Sequence, residues 1–421
     1  MSAGGEPTDG WRLPVAYDRS GRIFGEAELT ELAEVLAAGA LTRWGGEKAD
    51  AFEREWAARL GVPYAVAVSS GSAALHVALA VLDLPPGTEV ITSPVTDMGT
   101  VIGIVCAGLV PVFADVDPAT GLVTPETVAA CLGPRTRAVL PVHLHGRCAD
   151  AAGLARLADR HGLALVEDAS QAHFARRAGV AAGTTGVFGC FSLQQSKVVS
   201  CGEGGVLVTA DRQLAEQARI FQNKGWLRGE SGAQAYPLLG VNYRMGELAA
   251  AVARAQLHRV ETILQRRRAS YAVVAGCLRD DPDVRVLGER PDEYASWWCL
   301  AIQCDWLPDL ATARRLMSAL HAEGLPFALG GIGPDPIYRV EAIRGKRTPG
   351  GARLPWSLPG AADHDYDALH HPGAQWFLTH TLTLNWNEGI TVSDAERVAD
   401  GIRRAVAAVR VTPEHQERHV R

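Results

Sequence analysis

The chain contains no stretch of about 18 or more consecutive apolar residues, so no membrane-spanning helix is expected. Its amino terminus, Met1 to Asp18, is rich in Gly, Pro and acid. It lacks the basic start and apolar run of a secretory signal. Positive charge is not in excess: the formal net charge is −6 with acids and bases interspersed, which leaves no field for nucleic acid and no polybasic membrane patch. The eight cysteines, at 106, 131, 148, 190, 201, 277, 299 and 304, include no CxxC pair. Several lie in apolar runs, where a thiol packs as a small hydrophobe, and this points to reduced thiols in a cytoplasm. No internal repeat, helix-turn-helix or basic recognition region stands out. These absences leave a soluble, cytoplasmic protein whose partners are small molecules.

A length of 421 residues exceeds what one hydrophobic core usually supports, and suits one large and one smaller domain. From Tyr64 onward apolar strands alternate with helical periodicity. Strands are expected at Tyr64 to Ser69, Glu89 to Thr92, Pro111 to Val116, Ala138 to Leu144, Leu163 to Asp168, Val187 to Leu193 and Gly205 to Thr209. Repeated βα units of this kind predict an α/β domain with a mainly parallel, seven-stranded-type sheet covered by helices on both faces. Gly246 to about Val274 reads as one long helix bridging to a smaller α+β unit. Strands there are expected at Ser296 to Cys304 and Thr379 to Leu384, and a last helix from Asp394 opens on the capping box Ser393-x-x-Glu396. Tyr338 to Leu369, rich in Gly, Pro, Asp and Arg, reads as a long irregular segment of the kind that is functional or mobile. The resulting division is a flexible terminus at 1–20, a large domain at 21–255, a small domain at 256–412 and a frayed tail at 413–421.

One stretch carries the chemistry. Lys197 follows the β-prone run Phe188-Gly-Cys-Phe-Ser-Leu and precedes the turn Cys201-Gly-Glu-Gly-Gly205. A lysine held partly desolvated at a sheet edge is a candidate Schiff-base nucleophile, because burial frees the amine. Taken alone it reads as a surface loop lysine. The run Leu163-Ala-Leu-Val-Glu-Asp168 changes that reading, since a carboxylate at the end of a buried strand is the partner that protonates a pyridine nitrogen. Together, Lys197 and Asp168 imply pyridoxal 5′-phosphate. Ser70-Gly71-Ser72 lies between a strand and a helix, where first-turn amides and the Ser72 hydroxyl can take a phosphate, or where a serine simply caps the helix. His143 and His145 lie two apart on an expected strand and so on one face. No carboxylate or cysteine sits at ligand spacing to them, and no metal is expected.

The ordered motifs Ser70-Gly-Ser-Ala-Ala-Leu75, Val142-His-Leu-His-Gly146, Glu167-Asp-Ala-Ser-Gln-Ala-His173, Phe191-Ser-Leu-Gln-Gln-Ser-Lys197 and Gly240-Val-Asn-Tyr-Arg-Met245 resemble the DegT/DnrJ/StrS aminotransferases. That family acts on keto-sugars and cyclitols. The resemblance implies a fold-type I pyridoxal phosphate transferase that takes an amino group from glutamate or glutamine, through an imine on Lys197 and pyridoxamine phosphate, to a ketone of specialised metabolism. It places the cofactor phosphate on Gly71, Ser72 and Ser192, and the pyridine 3-oxygen on Gln171. It also sends Asn242 to the phosphate of the neighbouring subunit, in a homodimer with shared sites. His173 reads as structural; Trp386 ends a strand and could border the substrate, although a partly buried tryptophan at a domain edge is the commoner case. One position departs from the pattern: where the family commonly has an aromatic residue stacked on the pyridine, this chain has Asp97, leaving Met98 or a shifted backbone to cover the ring. Dehydration or aromatising elimination on the same scaffold is the nearer alternative, and a non-catalytic sensor the farther one.

Overall fold

Continuous apolar runs become strands that are buried on both faces. The computed structural model describes residues 11–228, 234–331 and 333–410. Strands β1 (Tyr64–Val68), β2 (Glu89–Thr92), β3 (Val110–Phe113), β4 (Thr136–Leu140), β5 (Ala164–Asp168), β6 (Phe188–Ser192) and β7 (Gly205–Thr209) form one seven-stranded sheet in the order β1-β7-β6-β5-β4-β2-β3. Strands β2 to β6 run parallel, as the βα alternation requires. The exception is β7, antiparallel to both β6 and β1. The connection from β6 to β7 carries Lys197 and has no crossover helix, so the chain returns antiparallel.

Helices α1 (Glu26–Ala38), α2 (Lys48–Leu60), α3 (Gly71–Ala80), α4 (Met98–Cys106), α5 (Pro125–Ala129), α6 (Ala151–His161) and α7 (Arg212–Phe221) accompany this sheet. On one face Leu75 and Ala78 of α3 pack on Val66, Val90, Val166 and Leu207. On the other, Phe52 and Trp56 of α2 pack on Phe174, Phe191 and Val206. Both faces are dry, which is why the strands read as unbroken apolar runs.

The single long helix expected from Gly246 is two, α8 (Glu247–His258) and α9 (Val260–Cys277), with Arg259 at φ −100° and ψ 3° between them. No Pro or Gly causes the break. Arg259 leaves the helical path while its guanidinium donates to Ile23 O at 2.9 Å and pairs with Glu28, contacts that no local pattern encodes. Ile263 and Leu264 at the start of α9 belong to the large core, whereas Tyr271 and Val274 belong to a second one. Around that second core are α10 (Leu310–Ala322), α11 (Glu341–Arg344), α12 (Pro372–His380), α13 (Val392–Arg410) and an antiparallel sheet, β8-β9-β11-β10. Its strands are β8 (Arg285–Val286), β9 (Cys299–Gln303), β10 (Ala328–Leu329) and β11 (Thr381–Asn385). Helix α13 begins two residues earlier than the sequence suggested, on the reciprocal pair Thr391 and Asp394. That pair fits the capping box as well as Ser393 and Glu396 do, and the packing of Ala395 and Val398 selects it.

Two irregular segments are tied down. Residues 11–20, expected to be loose, are anchored by Trp11 Nε1 donating to Asp394 at 2.9 Å, Asn387 donating to Pro14 O at 2.8 Å, and burial of Leu13. Residues 1–10 and the tail beyond 410 lie outside the described residues. Tyr338 to Leu369 contributes Tyr338, Ile343, Trp356 and Tyr366 to a cluster with Val101, Val110 and Phe113. Tyr366 Oη donates to Pro111 O at 2.8 Å, and just past the segment His371 Nε2 donates to Phe113 O at 2.9 Å, so the segment covers β3, the sheet's edge.

Candidate active site

The carboxyl ends of the parallel strands converge on a cavity of about 460 Å³. In open parallel sheets this is where ligands bind. Two residues past β1, Ser70, with its extended backbone (φ −166°) and its Oγ accepting from Ala73 N at 3.0 Å, starts α3. The amides of Gly71 and Ser72 at the positive end of that helix have no intrahelical acceptor. Gly71 is needed here: a Cβ would lie 2.6 Å from Ser192 Cβ, so glycine brings the end of β6 against the helix start. Gly99 does the same for Ser72, whose Oγ would be 2.7 Å from an added Cβ. Ser70, Ser72 and Ser192 therefore line one cavity wall with a helix N-terminus, a combination that suits an anion.

Asp168, at the end of β5, is buried and faces the same cavity. Its Oδ2 accepts from Thr100 Oγ1 at 2.7 Å, Thr100 is 2.6 Å from Thr96 Oγ1, and Oδ1 accepts from Ser170 N at 3.1 Å. Lys197 lines the same cavity, with Nζ 3.9 Å from the ring centroid of Trp298. Burial pushes the amine below the usual lysine range, and Asp168, Cys299 and Asp97 offset only part of that. Gln171 lines the cavity with its Oε1 committed to His145 N at 3.0 Å, which leaves its amide NH₂ as donor.

Asp97 lines the cavity and caps α4, its Oδ1 accepting from Gly99 N at 2.8 Å. Met98, the alternative ring cover, is turned away and packs with the cluster of Phe113 and Ile337. As the first residue of α4, it follows the helix away from the cavity. Asn242 is exposed and outside this cavity, bridged through its backbone to Asn223. The two histidines do not share a face. β4 ends at Leu140, and His145 at φ 58° turns the chain, so strand alternation does not apply. His143 Nε2 donates to Glu167 at 2.9 Å, while its Nδ1 accepts from Ala149 N. His145 stacks on Phe377, and burial pushes its pKa down to about 3. Among the described residues no group of three or more His, Cys, Asp or Glu is placed to hold a metal ion. His173 is buried edge-on against Trp56 and accepts from Val199 N at 3.3 Å, which steadies the Lys197 loop. Trp386 is fully buried and donates to Arg267 O, in the second core rather than at the substrate.

The sequence reading missed Trp298, Tyr17, Gln194, Glu203 and Gly331 on the cavity wall, and the Thr96–Thr100 pair. Only the threonines left a signal, an i, i+4 spacing across the start of α4.

A parallel sheet with an antiparallel β7 beside a half-buried lysine, a buried aspartate and a helix-end anion cradle defines a fold-type I, pyridoxal phosphate-dependent aminotransferase. A profile of the DegT/DnrJ/EryC1/StrS aminotransferase family matches residues 23–357, and the chain belongs to that family. It is 38% identical over 314 residues, 73% of this chain and 75% of the other, to a putative L-glutamine:3-amino-2,3-dideoxy-scyllo-inosose aminotransferase of Streptoalloteichus tenebrarius. It is 33% identical over 361 residues, 85% and 87% of the two chains, to the dTDP-3-amino-3,4,6-trideoxy-alpha-D-glucose transaminase of Streptomyces venezuelae. The crystal structure of 3-amino-5-hydroxybenzoic acid synthase superposes with a TM-score of 0.82 at 29% identity, covering 95% of this chain and all of that one.

Proposed function

We propose that this enzyme moves an amino group from glutamate or glutamine to the ketone of a keto-cyclitol or keto-sugar in the biosynthesis of a specialised metabolite. The observation that carries the reading is that Lys197, Asp168 and the Gly71–Ser72–Ser192 cradle all line one cavity. That cradle fits a phosphate monoester, Asp168 fits a protonated pyridine nitrogen, and the Gln171 amide fits the 3-oxygen. When bound, pyridoxal phosphate supplies a ring that withdraws electrons from the donor's α-carbon. Lys197 would hold the group through its side-chain amine, and that amine, when free, would be the base that moves a proton at the donor Cα. Its lowered pKa leaves more of the amine neutral for both tasks.

The relatives' names support the acceptor class, one being a keto-cyclitol enzyme and another a sugar enzyme. The lining does too: Ser, Thr and Gln side chains with Asp97 and Glu203 suit hydroxyls, and Lys197 is the one cation among the described lining residues. That last point weighs against a carboxylated ring as acceptor. The likeness to 3-amino-5-hydroxybenzoic acid synthase nonetheless supports aromatising elimination as a second reading. Incubating the enzyme with glutamine and a panel of cyclitol ketones, sugar ketones and carboxylated cyclohexenones separates them. Amine transfer to a polyol ketone, seen by mass spectrometry, is the expected result; an aromatic product alone replaces it. Borohydride treatment with pyridoxal phosphate should fix the label on Lys197, and a label on Lys48 or Lys224 would remove the central role.

Asn242 serves the partner's phosphate in this reading, and the active unit is a homodimer. Exposed apolar side chains near it, Leu227, Tyr236, Leu239 and Trp44, support a covered surface. Mixing inactive Lys197→Ala and Asn242→Asp subunits by joint refolding gives mixed dimers with one native site. Activity should recover to about a quarter of wild type per total site under two-fold symmetry. If nothing returns while wild type refolds, Asn242 acts within its own subunit. The eight free thiols support a reducing, cytoplasmic setting.

A further inference from the structure

Two adjacent indoles at the entrance to β9 point into different environments. Trp297 adopts φ 47°, a left-handed conformation that is uncommon for a bulky side chain and marks a constrained position. Its ring is buried in the second core, stacked on Tyr271 with centroids 3.6 Å apart and planes 10° from parallel. The turn is held from both sides. Ser296 N donates to Gly146 O at 2.9 Å, and a Cβ on Gly146 would lie 2.4 Å from Trp297 N, so glycine lets the two segments meet. From below, Arg267, paired with Glu388 in full burial, donates to Trp386 O, and Trp386 N in turn donates to Trp298 O at 2.9 Å.

The constrained turn delivers Trp298 to the cavity wall. Its Nε1 donates to the carbonyl of Ser196, the residue before Lys197, at 2.9 Å, and its face meets Lys197 Nζ at 3.9 Å. Among the described residues, none accepts a hydrogen bond from that ammonium. An indole face attracts a cation most strongly where water is scarce. One residue of the small unit thus grips both the backbone and the side-chain end of the lysine segment.

We propose that Trp298 is a positioning residue for Lys197, its indole face holding the lysine amine whenever that amine is not engaged with the cofactor. The inference rests on the role given to Lys197 above, and it makes the small unit, through its Trp297 turn, part of the lysine's setting. Other groups facing the amine are Asp168 and Asp97 from the large unit, which favour the ammonium, and the Cys299 thiol beside Trp298, which burial keeps neutral. His145 and His173, kept neutral by burial, lie farther off, and Glu203 lines the rim. Burial opposes the ammonium, and the ring offsets part of that opposition.

The test uses the full-length protein stripped of cofactor. Competitive acetylation across a pH series, quantified at Lys197 by mass spectrometry, gives the titration midpoint of this one amine. Trp298→Leu should lower the midpoint by roughly one unit, a tenfold change in the ratio of amine to ammonium. Trp298→Phe keeps a ring face without the indole N–H and should stay close to wild type. If the leucine variant does not fold, Trp298→Met, longer and more adaptable, replaces it with the same expectation. An unchanged midpoint in the ring-less variant overturns the proposal, and so does an equal shift in Trp298→Phe, because the N–H bond to Ser196 would then be the operative contact. Since the readout needs no cofactor, it stands or falls separately from the borohydride assignment of Lys197.

Discussion

Glu167 and Asp168 are consecutive carboxylates at the end of one buried strand, and the two sides of that strand use them differently. Glu167 accepts from the amides of Gly183 at 3.1 Å, Thr185 at 2.7 Å and Gly186 at 2.8 Å, and from His143 at 2.9 Å. It is saturated and fixes the turn that leads into β6. Among the described residues the Asp168 side chain has only Thr100 and Ser170 as donors, and it turns its remaining acceptor capacity to the cavity. Both are buried carboxylates. What separates structure from site is hydrogen-bonding capacity left unused toward an open volume.

Substitutions that keep shape and remove charge should divide the pair. Asp168→Asn should lower turnover by about a hundredfold, because a neutral amide loses the charge-assisted bond to the pyridine nitrogen. Steady-state kinetics with saturating donor measures this, and urea unfolding should be almost unmoved. Glu167→Gln should do the reverse. An amide NH₂ then meets backbone N–H groups, costing about 1–3 kcal/mol for each donor left unpaired. Unfolding in urea reads that loss, and cofactor affinity should hold. Equal effects from both variants would erase the distinction between the two sides.

A pH series sharpens it further. Burial alone would raise the Glu167 pKa, but the His143 bond and the amides of Gly186 and Thr185 outweigh it and hold the group below 4.5. A depressed carboxylate contributes stability that is present above its unfolded value and is lost as pH falls through the folded one. Wild type should therefore lose stability below about pH 4.5 more steeply than Glu167→Gln, as equilibrium unfolding at each pH would show. The smallest effect belongs to Asp97. Asp97→Trp removes the cap on Gly99, which costs about 1 kcal/mol of stability. The new ring can return about 0.5–1.5 kcal/mol in cofactor binding. Fluorescence titration should find the dissociation constant equal or lower by up to about tenfold. Abolished binding would give the Asp97 carboxylate a direct task at the ligand.

Much of the site was legible because its signals are local. Ser192 ends a strand, Gly71 opens a helix, Ser70 has capping chemistry, and Lys197 sits between an apolar run and a glycine turn. His143 and His145 misled because strand alternation was extended past the last bridge, Val142 to Asp168, to His145, whose own φ is positive. Met98 misled because proximity in sequence to Asp97 says nothing of direction once α4 begins between them. Trp298 left no trace at all, since its partner Ser196 is 102 residues away.

The sequence by itself determined the alternation of strand and helix, the sites of tight approach and the pairing of a lysine with an aspartate. Periodicity, caps and glycine sterics act within a few residues, so they are written in consecutive letters. The tertiary structure alone decided that Glu167 is spent and Asp168 is not, that the helix after Gly246 breaks at Arg259, that Met98 packs with the Phe113 cluster, and that Trp298 meets the lysine. Those outcomes depend on which donors and rings arrive from distant segments. Their arrival is set by packing of two cores against one another, which no local spacing records.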